Sequence, residues 1–233
     1  MVTRFKKCLR FVAGKVEDHT NALHLKTSEH IYDIEFSKKR KRLFICADST
    51  LLFGYDEKFS TFIPANTGVP LVKPTRVHEL KNGLLIVYID EKGVYSIDAA
   101  NNLHSLIRET GIDGSKKGIQ LNVCFYEDSC NSFWIAMPGM GLYEYGFSES
   151  KLPFLKNHIT IKDGIQSDNL LSLANDRQNR IWVATNAGLD ILQKNDSGKW
   201  DVFNYASAQD LGIIKSDYGK LITDKEARMP TTG

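Results

Sequence analysis

The sequence predicts an all-β protein, a β-propeller built of four-stranded meander blades, with about five units of which the last is incomplete. Three observations predict it. The stretch "NRIWVATNAGLDIL" (Asn179 to Leu192) repeats the pattern of "NSFWIAMPGMGLYEY" (Asn131 to Tyr145), which begins forty-eight residues upstream. Both set a polar turn before a hydrophobic residue and Trp, followed by a short strand, a glycine loop and another strand. With the Trp as anchor, weaker copies extend the series to Phe44, Leu85, Trp134, Trp182 and Ile222, spaced 41, 49, 48 and 40 residues apart, the repeat length of a propeller blade. Finally, no segment sustains a 3.6-residue apolar period, so helix is minor.

The clearest copy justifies the four strands in order. "NLLSLAND" (Asn169 to Asp176) is a first strand, and Asp176 to Arg180 is a polar turn. "IWVAT" (Ile181 to Thr185) and "GLDILQ" (Gly188 to Gln193) are the second and third strands, and "KWDVFNY" (Lys199 to Tyr205) alternates as an edge strand does. Upstream, "HIYDIEF" (His30 to Phe36), "TRVHEL" (Thr75 to Leu80) and "LNVCFYED" (Leu121 to Asp128) fit the first slot. "HSLIRET" (His104 to Thr110) and "FLKNHITI" (Phe154 to Ile161) fit the fourth. Gly93, Gly141 and Gly188 open third strands, where a tight loop needs positive φ or close backbone approach; the first copy has Thr50 there, so its loop must differ. A lone meander cannot bury two apolar faces; stacked blades bury them, with Trp supplying area between neighbours.

Residues 1–233 read as a single propeller region. The fifth unit, "YGKLITD" (Tyr218 to Asp224), stops short of its Gly-Leu strand. The ring therefore closes by strand exchange with "CLRFVAG" (Cys8 to Gly14), stays an open arc prone to dimerise, or lacks flanking sequence. The chain reads as a fragment or a truncated relative of a larger propeller.

The composition, 42% hydrophobic and 25% charged over 233 residues, is that of a globular protein with a sizeable core. A formal charge of +2 gives no reason to expect nucleic acid. The run Lys38-Lys39-Arg40-Lys41-Arg42 can bind phosphates, but it reads first as a solvated hairpin turn because apolar Leu43-Phe44-Ile45 follows at once. Cys8, Cys46, Cys124 and Cys130 show no metal spacing; Cys124 and Cys130 can bridge across a turn, and buried thiols are the plainer reading. No apolar run of about 18 residues is present to span a membrane. Charges at Arg10, Lys15, Glu17 and Asp18 interrupt any apolar stretch behind Arg4, Lys6 and Lys7, so the start does not read as a secretory signal.

The segment Ile161 to Leu192 resembles the two-component regulator propeller repeat. Asp163-Gly164-Ile165 stands for its Asp-Gly-Leu element, Asn169 for its Asn, Asp176 for its turn Asp, and Ile181-Trp182 for its Ile-Trp pair. Thr185 and Gly188-Leu189 match its Thr and closing Gly-Leu. Asn179 and Ala184 replace two of its glycines, mild changes because Asn tolerates a left-handed backbone and Ala is small. The Trp134 copy resembles the repeat more loosely, and the other copies only in outline. The resemblance implies the extracytoplasmic, periplasmic sensor portion of a bacterial hybrid histidine kinase, responsive to glycans or their breakdown products. It also implies partners outside this chain, a neighbouring propeller or β-sandwich domain and the kinase core, while the open arc adds a second copy in a dimer as a further partner.

No catalytic motif, metal set or cofactor site is expected. The six histidines (His19, His24, His30, His78, His104, His158) lack HxH or HExxH spacing. "MPGMG" (Met137 to Gly141) joins two strands, so it makes no helix-terminus phosphate site. The carboxylate pairs Asp56-Glu57 and Glu127-Asp128 fall in turns. In a meander, the approach to the first strand and the loop between the second and third strands share one end, where binding usually sits. That reasoning selects Asp168, Asn169, Asn186, Met140, Asp90 and Asp48 as ligand-binding candidates, against the plainer reading that Asp168 and Asn169 only shape a turn. His30 and His78, both read as near the start of first strands, join them as residues that can converge on the axis. Three functions follow: a ligand-sensing propeller that signals through packing or dimerisation, a lyase resembling the streptogramin-inactivating kind with axial His and Glu, or an interaction scaffold with an apolar rim.

Overall fold

In a computed structural model of the chain, the described residues are 9–12, 15–18, 20–26, 28–55, 58–108, 123–128, 131–149 and 151–207. Strands β1 (Leu9–Val12) and β2 (Lys15–Asp18) pair as an antiparallel hairpin. Four antiparallel sheets follow, each with its four strands in chain order. The first holds β3 (Ile31–Ser37), β4 (Arg42–Ala47), β5 (Leu51–Tyr55) and β6 (Lys58–Thr61). The second holds β7 (Pro74–Glu79), β8 (Leu85–Ile89), β9 (Gly93–Ile97) and β10 (Leu103–Arg108). The third comprises β11 (Cys124–Glu127), β12 (Phe133–Met137), β13 (Gly141–Phe147) and β14 (Pro153–Ile159). The fourth comprises β15 (Leu170–Asn175), β16 (Ile181–Thr185), β17 (Gly188–Lys194) and β18 (Trp200–Ser207). These are propeller blades, as expected. The fifth unit with Ile222, together with Cys8, Cys130, His19 and the Asp56-Glu57 pair, lies outside the described residues. β6 fills the one fourth-strand slot for which the sequence offers no obvious alternating segment.

The chain forms two compact units, Val2–Leu121 and Asn122–Gly233. In the first unit, Tyr32, Phe44, Cys46, Leu51 and Phe62 of one sheet pack against Val77, Leu85, Val87, Ile89 and Ile97 of the next. Phe44 sits edge-on to Phe62 at a centroid separation of 6.0 Å, a favourable aromatic geometry. In the second unit, Trp134, Ala136 and Leu142 pack against Leu170, Leu173, Ile181, Val183 and Leu192, and Trp134 meets Trp200 of β18 edge-on at 5.1 Å.

Side chains alternate across a strand, so these clusters fix the repeat register. Phe44 and Trp134 point from the second strand of a sheet toward the sheet that follows within the same unit, whereas Ile181 and Val183 point back. Leu85 also points back, and the residue on the forward face is Ile86. The turns agree: six residues before Ile86, Leu80 N–H donates to Leu84 O, as Asp128 N–H does to Ser132 O six residues before Trp134, and Asp176 N–H to Arg180 O six before Trp182. The second anchor is therefore Ile86, one residue beyond Leu85. The sequence misleads here because Leu85 to Ile89 is apolar throughout, and alternation carries no signal when both faces are buried.

The tryptophans are held by their turns. Asp128 accepts from Trp134 Nε1 at 3.0 Å and from Ser132 N–H at 2.9 Å. Asp176 accepts from Trp182 Nε1 at 2.9 Å, Gln178 N–H at 3.0 Å and Arg180 N–H at 3.1 Å, while Arg180 Nε donates to it at 2.6 Å. Burial would raise the Asp176 carboxyl, but these donors outweigh it and hold the group below its ordinary range. Trp134 is an inter-sheet residue. Trp182 packs on Ala174, Leu189 and Ile191 of its own sheet, with Tyr205 edge-on at 5.2 Å. Asn179 stands where the repeat usually has glycine and takes the left-handed backbone at φ 58°. Gly141 is required at φ 85°, where a Cβ would lie 2.5 Å from Ile159 O.

Carboxylates also cap the free edges of first strands, which would otherwise present unpaired N–H groups. Asp33 accepts from Val77 N–H at 3.0 Å and Glu35 from Glu79 N–H at 3.1 Å, so one sheet ties down the next. The fully buried Glu144 accepts from Asn157 Nδ2 at 2.6 Å and Trp200 Nε1 at 2.8 Å, with Lys156 Nζ at 3.1 Å. Asp98 caps its own turn, accepting from Asn102 N–H, Ala100 N–H and the His104 ring at 2.8, 2.9 and 3.0 Å. Burial pushes this carboxyl up, but the hydrogen bonds prevail and lower it from 3.8 to about 2.

Two outcomes follow from this arrangement. Trp182→Ala should destabilise the protein by about 3–5 kcal/mol in urea denaturation, and Trp182→Phe by less, because the ring volume is largely kept and only the Nε1–H donor is lost. A depressed carboxyl stabilises the fold above its unfolded-state value and stops doing so as pH falls through its folded value. The melting temperature should therefore fall between the ordinary 3.8 of Asp98 and about 2. Asp98→Asn should flatten that decline, read by circular dichroism across an acid series.

Candidate functional site

The inner strands of the sheets are largely buried, and the loops at the two ends of each sheet are the places where binding usually sits. The near end holds the approaches to first strands and the loops between second and third strands. The far end holds the turns between first and second strands.

At the near end of the first unit, a backbone ladder runs across loops: Asp48 N–H donates to His30 O at 3.2 Å, Lys73 N–H to Asp48 O at 3.3 Å, and Asp90 N–H to Lys73 O at 3.0 Å. The Asp48 carboxylate accepts from His30 N–H at 2.8 Å, lies 3.0 Å from His30 Nδ1, and accepts from the Tyr32 hydroxyl. Burial alone would raise this carboxyl; Tyr32 and His30 hold it below its ordinary range. His30, Asp48 and the buried Asp90 are thus brought together. His78 is not. It lies near the end of β7, pairs with Ile86 across the turn-proximal ladder, and its Nδ1 is 3.4 Å from Glu35 Oε1 at the far end. The position equivalent to His30 in the second sheet is Lys73, so His30 and His78 do not converge. "TRVHEL" places His78 near the start of a strand only if the chain before Thr75 is ignored.

At the near end of the second unit, Met140, Asp168, Asn169 and Asn186 do come together. Gly139 N–H donates to Asp168 O at 2.8 Å, Asn186 N–H to Asn169 O at 3.1 Å, and Ile161 N–H to Asp168 Oδ1 at 3.0 Å. His158 Nε2 lies 2.7 Å from Met140 O, and its ring stacks on Tyr143 at 4.0 Å. Beneath this cluster the buried Asp190 accepts from Gln166 N–H at 2.9 Å, Gln166 Nε2 at 2.7 Å and Asn204 Nδ2 at 2.9 Å. These polar groups largely serve one another, stitching successive loops.

The concave feature at a near end is a cavity of about 380 Å³ in the first unit. The β4–β5 loop supplies Ser49 and Thr50, β6 supplies Phe59, Ser60 and Thr61, and the 3-10 turn at Thr20–Leu23 with its sequel supplies His24, Lys26 and Glu29. Its lining mixes hydroxyl-bearing, charged and imidazole residues with Phe59, whose ring also packs on the Leu23, Ile31, Ile45 and Leu52 cluster, a set suited to a polyhydroxylated ligand. None of the residues that the sequence selects lines this cavity, although Asp48 adjoins Ser49 in the chain, since β6 and the 3-10 turn are joined by tertiary contact alone. Among the described residues, no group of three or more His, Cys, Asp or Glu is placed to hold a metal ion. Among the same residues, no helix is long and apolar enough to cross a membrane.

Residues 164–187 match the family model described as two component regulator propeller. The chain is also similar to an extracellular domain assigned to a hybrid two component system of B. thetaiotaomicron, with TM-score 0.59 and 13% identity over 84% of this chain and 25% of that one. A second such domain from the same organism gives TM-score 0.61 and 15% identity over 96% of this chain and 30% of that one. Virginiamycin B lyase from Staphylococcus aureus gives TM-score 0.52 and 12% identity over 85% of this chain and 62% of that one. These likenesses are of fold. The chain spans between 25% and 30% of the length of the two extracellular domains. No curated protein matches it. The chain is a β-propeller protein of four-stranded meander blades, and residues 164–187, leading into its fourth sheet and through its first two strands, match the two-component regulator propeller repeat.

Proposed function

We propose that the chain is a non-catalytic, ligand-sensing part of a two-component regulator, exposed to the periplasm, that binds an oligosaccharide or its breakdown product and signals to a kinase outside this chain. The observation that carries this reading is the near-end cavity, whose lining combines Ser49, Ser60 and Thr61 with Phe59. An aromatic face beside neutral hydroxyls matches a sugar, which has an apolar ring face and a rim of hydroxyls. The family repeat supports the signalling part of the reading. The streptogramin-lyase alternative called for axial His and Glu drawn from successive blades. The separation of His30 from His78 removes the His pair on which it was built. Ligand contact would act by favouring one arrangement of the loops over another, and its effect cannot exceed its differential affinity for the two.

A thermal-shift screen against oligosaccharides tests this. A ligand at 100 times its dissociation constant should stabilise the fold by about 2.7 kcal/mol. Phe59→Ala should abolish the shift, Phe203→Ala on the exposed edge strand β18 should leave it intact, and the sugar should be recovered unchanged by mass spectrometry. A flat response across the panel, or cleavage of the sugar, would overturn the reading.

A further inference from the structure

We propose that the far end of the first unit is a second binding site, for a small polyanion bearing phosphate or sulfate groups. The site is a cavity of about 690 Å³ bounded by two adjacent turns, one from the first sheet and one from the second. Lys38, Lys39, Lys41 and Lys81 line it, with His78, Glu35 and Glu79 beneath them and Phe36 and Leu80 supplying an apolar wall.

The two acids are already committed. Glu79 accepts from Ser37 Oγ at 2.5 Å and from Lys38 N–H at 2.6 Å. Glu35 accepts from Glu79 N–H at 3.1 Å and lies 3.4 Å from His78 Nδ1. Among the described residues, Lys38, Lys39 and Lys41 form no ion pair. The fifth cation of the cluster, Arg40, is turned inward: Nη1 donates to Gly83 O at 2.7 Å and Nη2 to Asp98 O at 2.7 Å. Arg40 thereby pins the first turn to the second. The Lys39 stem reinforces the join, since a Cβ at Gly83 would lie 2.9 Å from its Cγ.

Four exposed lysines therefore flank one cavity on two turns that Arg40 joins, despite the repulsion between like charges. A sequence that breaks a local rule in this way does so most often at a functional position. The cavity lies within the range of small-ligand sites, about 300–1,000 Å³. Lysines along both turns suit a compact anion bearing two or more charged groups, and half-exposed Phe36 offers a surface for an attached apolar body. This site is separate from the near-end cavity and does not depend on the sugar reading.

Isothermal titration calorimetry of the full chain in low salt tests it, with pyrophosphate and a disulfated disaccharide as two arms and cellobiose as the neutral control. Heat of binding is expected with pyrophosphate, the sulfated disaccharide or both, and their relative affinity tells phosphate from sulfate. Affinity should weaken as salt screens the charges. The double variant Lys38→Gln, Lys41→Gln should bind about five- to tenfold more weakly, with its far-ultraviolet spectrum and melting temperature unchanged. Lys92→Gln, Lys151→Gln, which removes the same charge elsewhere, should bind as the parent does. Absence of binding in both arms, undiminished binding by the first double variant, or equal weakening in the control variant would overturn the proposal.

Discussion

Everything else in this structure depends on burying the apolar face of one meander against the next. Second strands such as β8 and β12 are buried along their whole length, on both faces, so no single sheet can bury its own apolar surface. Within each unit the facing sheets solve that problem with large side chains, Phe44 in one case and Trp134 in the other. The hydrogen-bonding consequences are met at the same time. Asp128 and Asp176 accept the indole N–H groups that burial would orphan, and Asp33 and Glu35 cap the strand edge that the neighbouring sheet presents.

This use of the faces decides where recognition can occur. The tryptophans are committed to packing and to their turn aspartates, leaving the loop ends as the variable surface of a rigid scaffold. The two ends of the first unit differ in chemistry. The near end joins hydroxyls with an aromatic ring, and the far end gathers lysines around acids that are already spoken for. On the proposed reading, a neutral ligand would bind at one end and a charged one at the other, with the core between them undisturbed.

The repeat was legible because turn chemistry and glycine placement recur at a fixed period, and strands fall where those signals put them. Asn179 could be read as a glycine substitute from its side chain alone, and its φ of 58° agrees. The Leu85 anchor slipped by one because a strand apolar on both faces has no alternation to set its register. β6 carries little sequence signal because "KFST" is short, and the cavity carries none because Phe59, His24 and Ser49 are distant in the chain and meet only in the fold. His78 was misplaced for a related reason. Its position along β7 depends on where the strand starts, and the chain signals that boundary weakly.

The central claim is that the anchors are scaffold and the loop ends are where ligands act. Residue-resolved hydrogen exchange on the full chain, alone and with any oligosaccharide that raises its melting temperature, tests it most directly. The account predicts slowest exchange in β4, β8, β12 and β16, unchanged by ligand, and new protection confined to the segments around His24, Ser49 and Phe59. Fast exchange in the Trp-bearing strands, or ligand protection centred on Trp134 or Trp182, would contradict it.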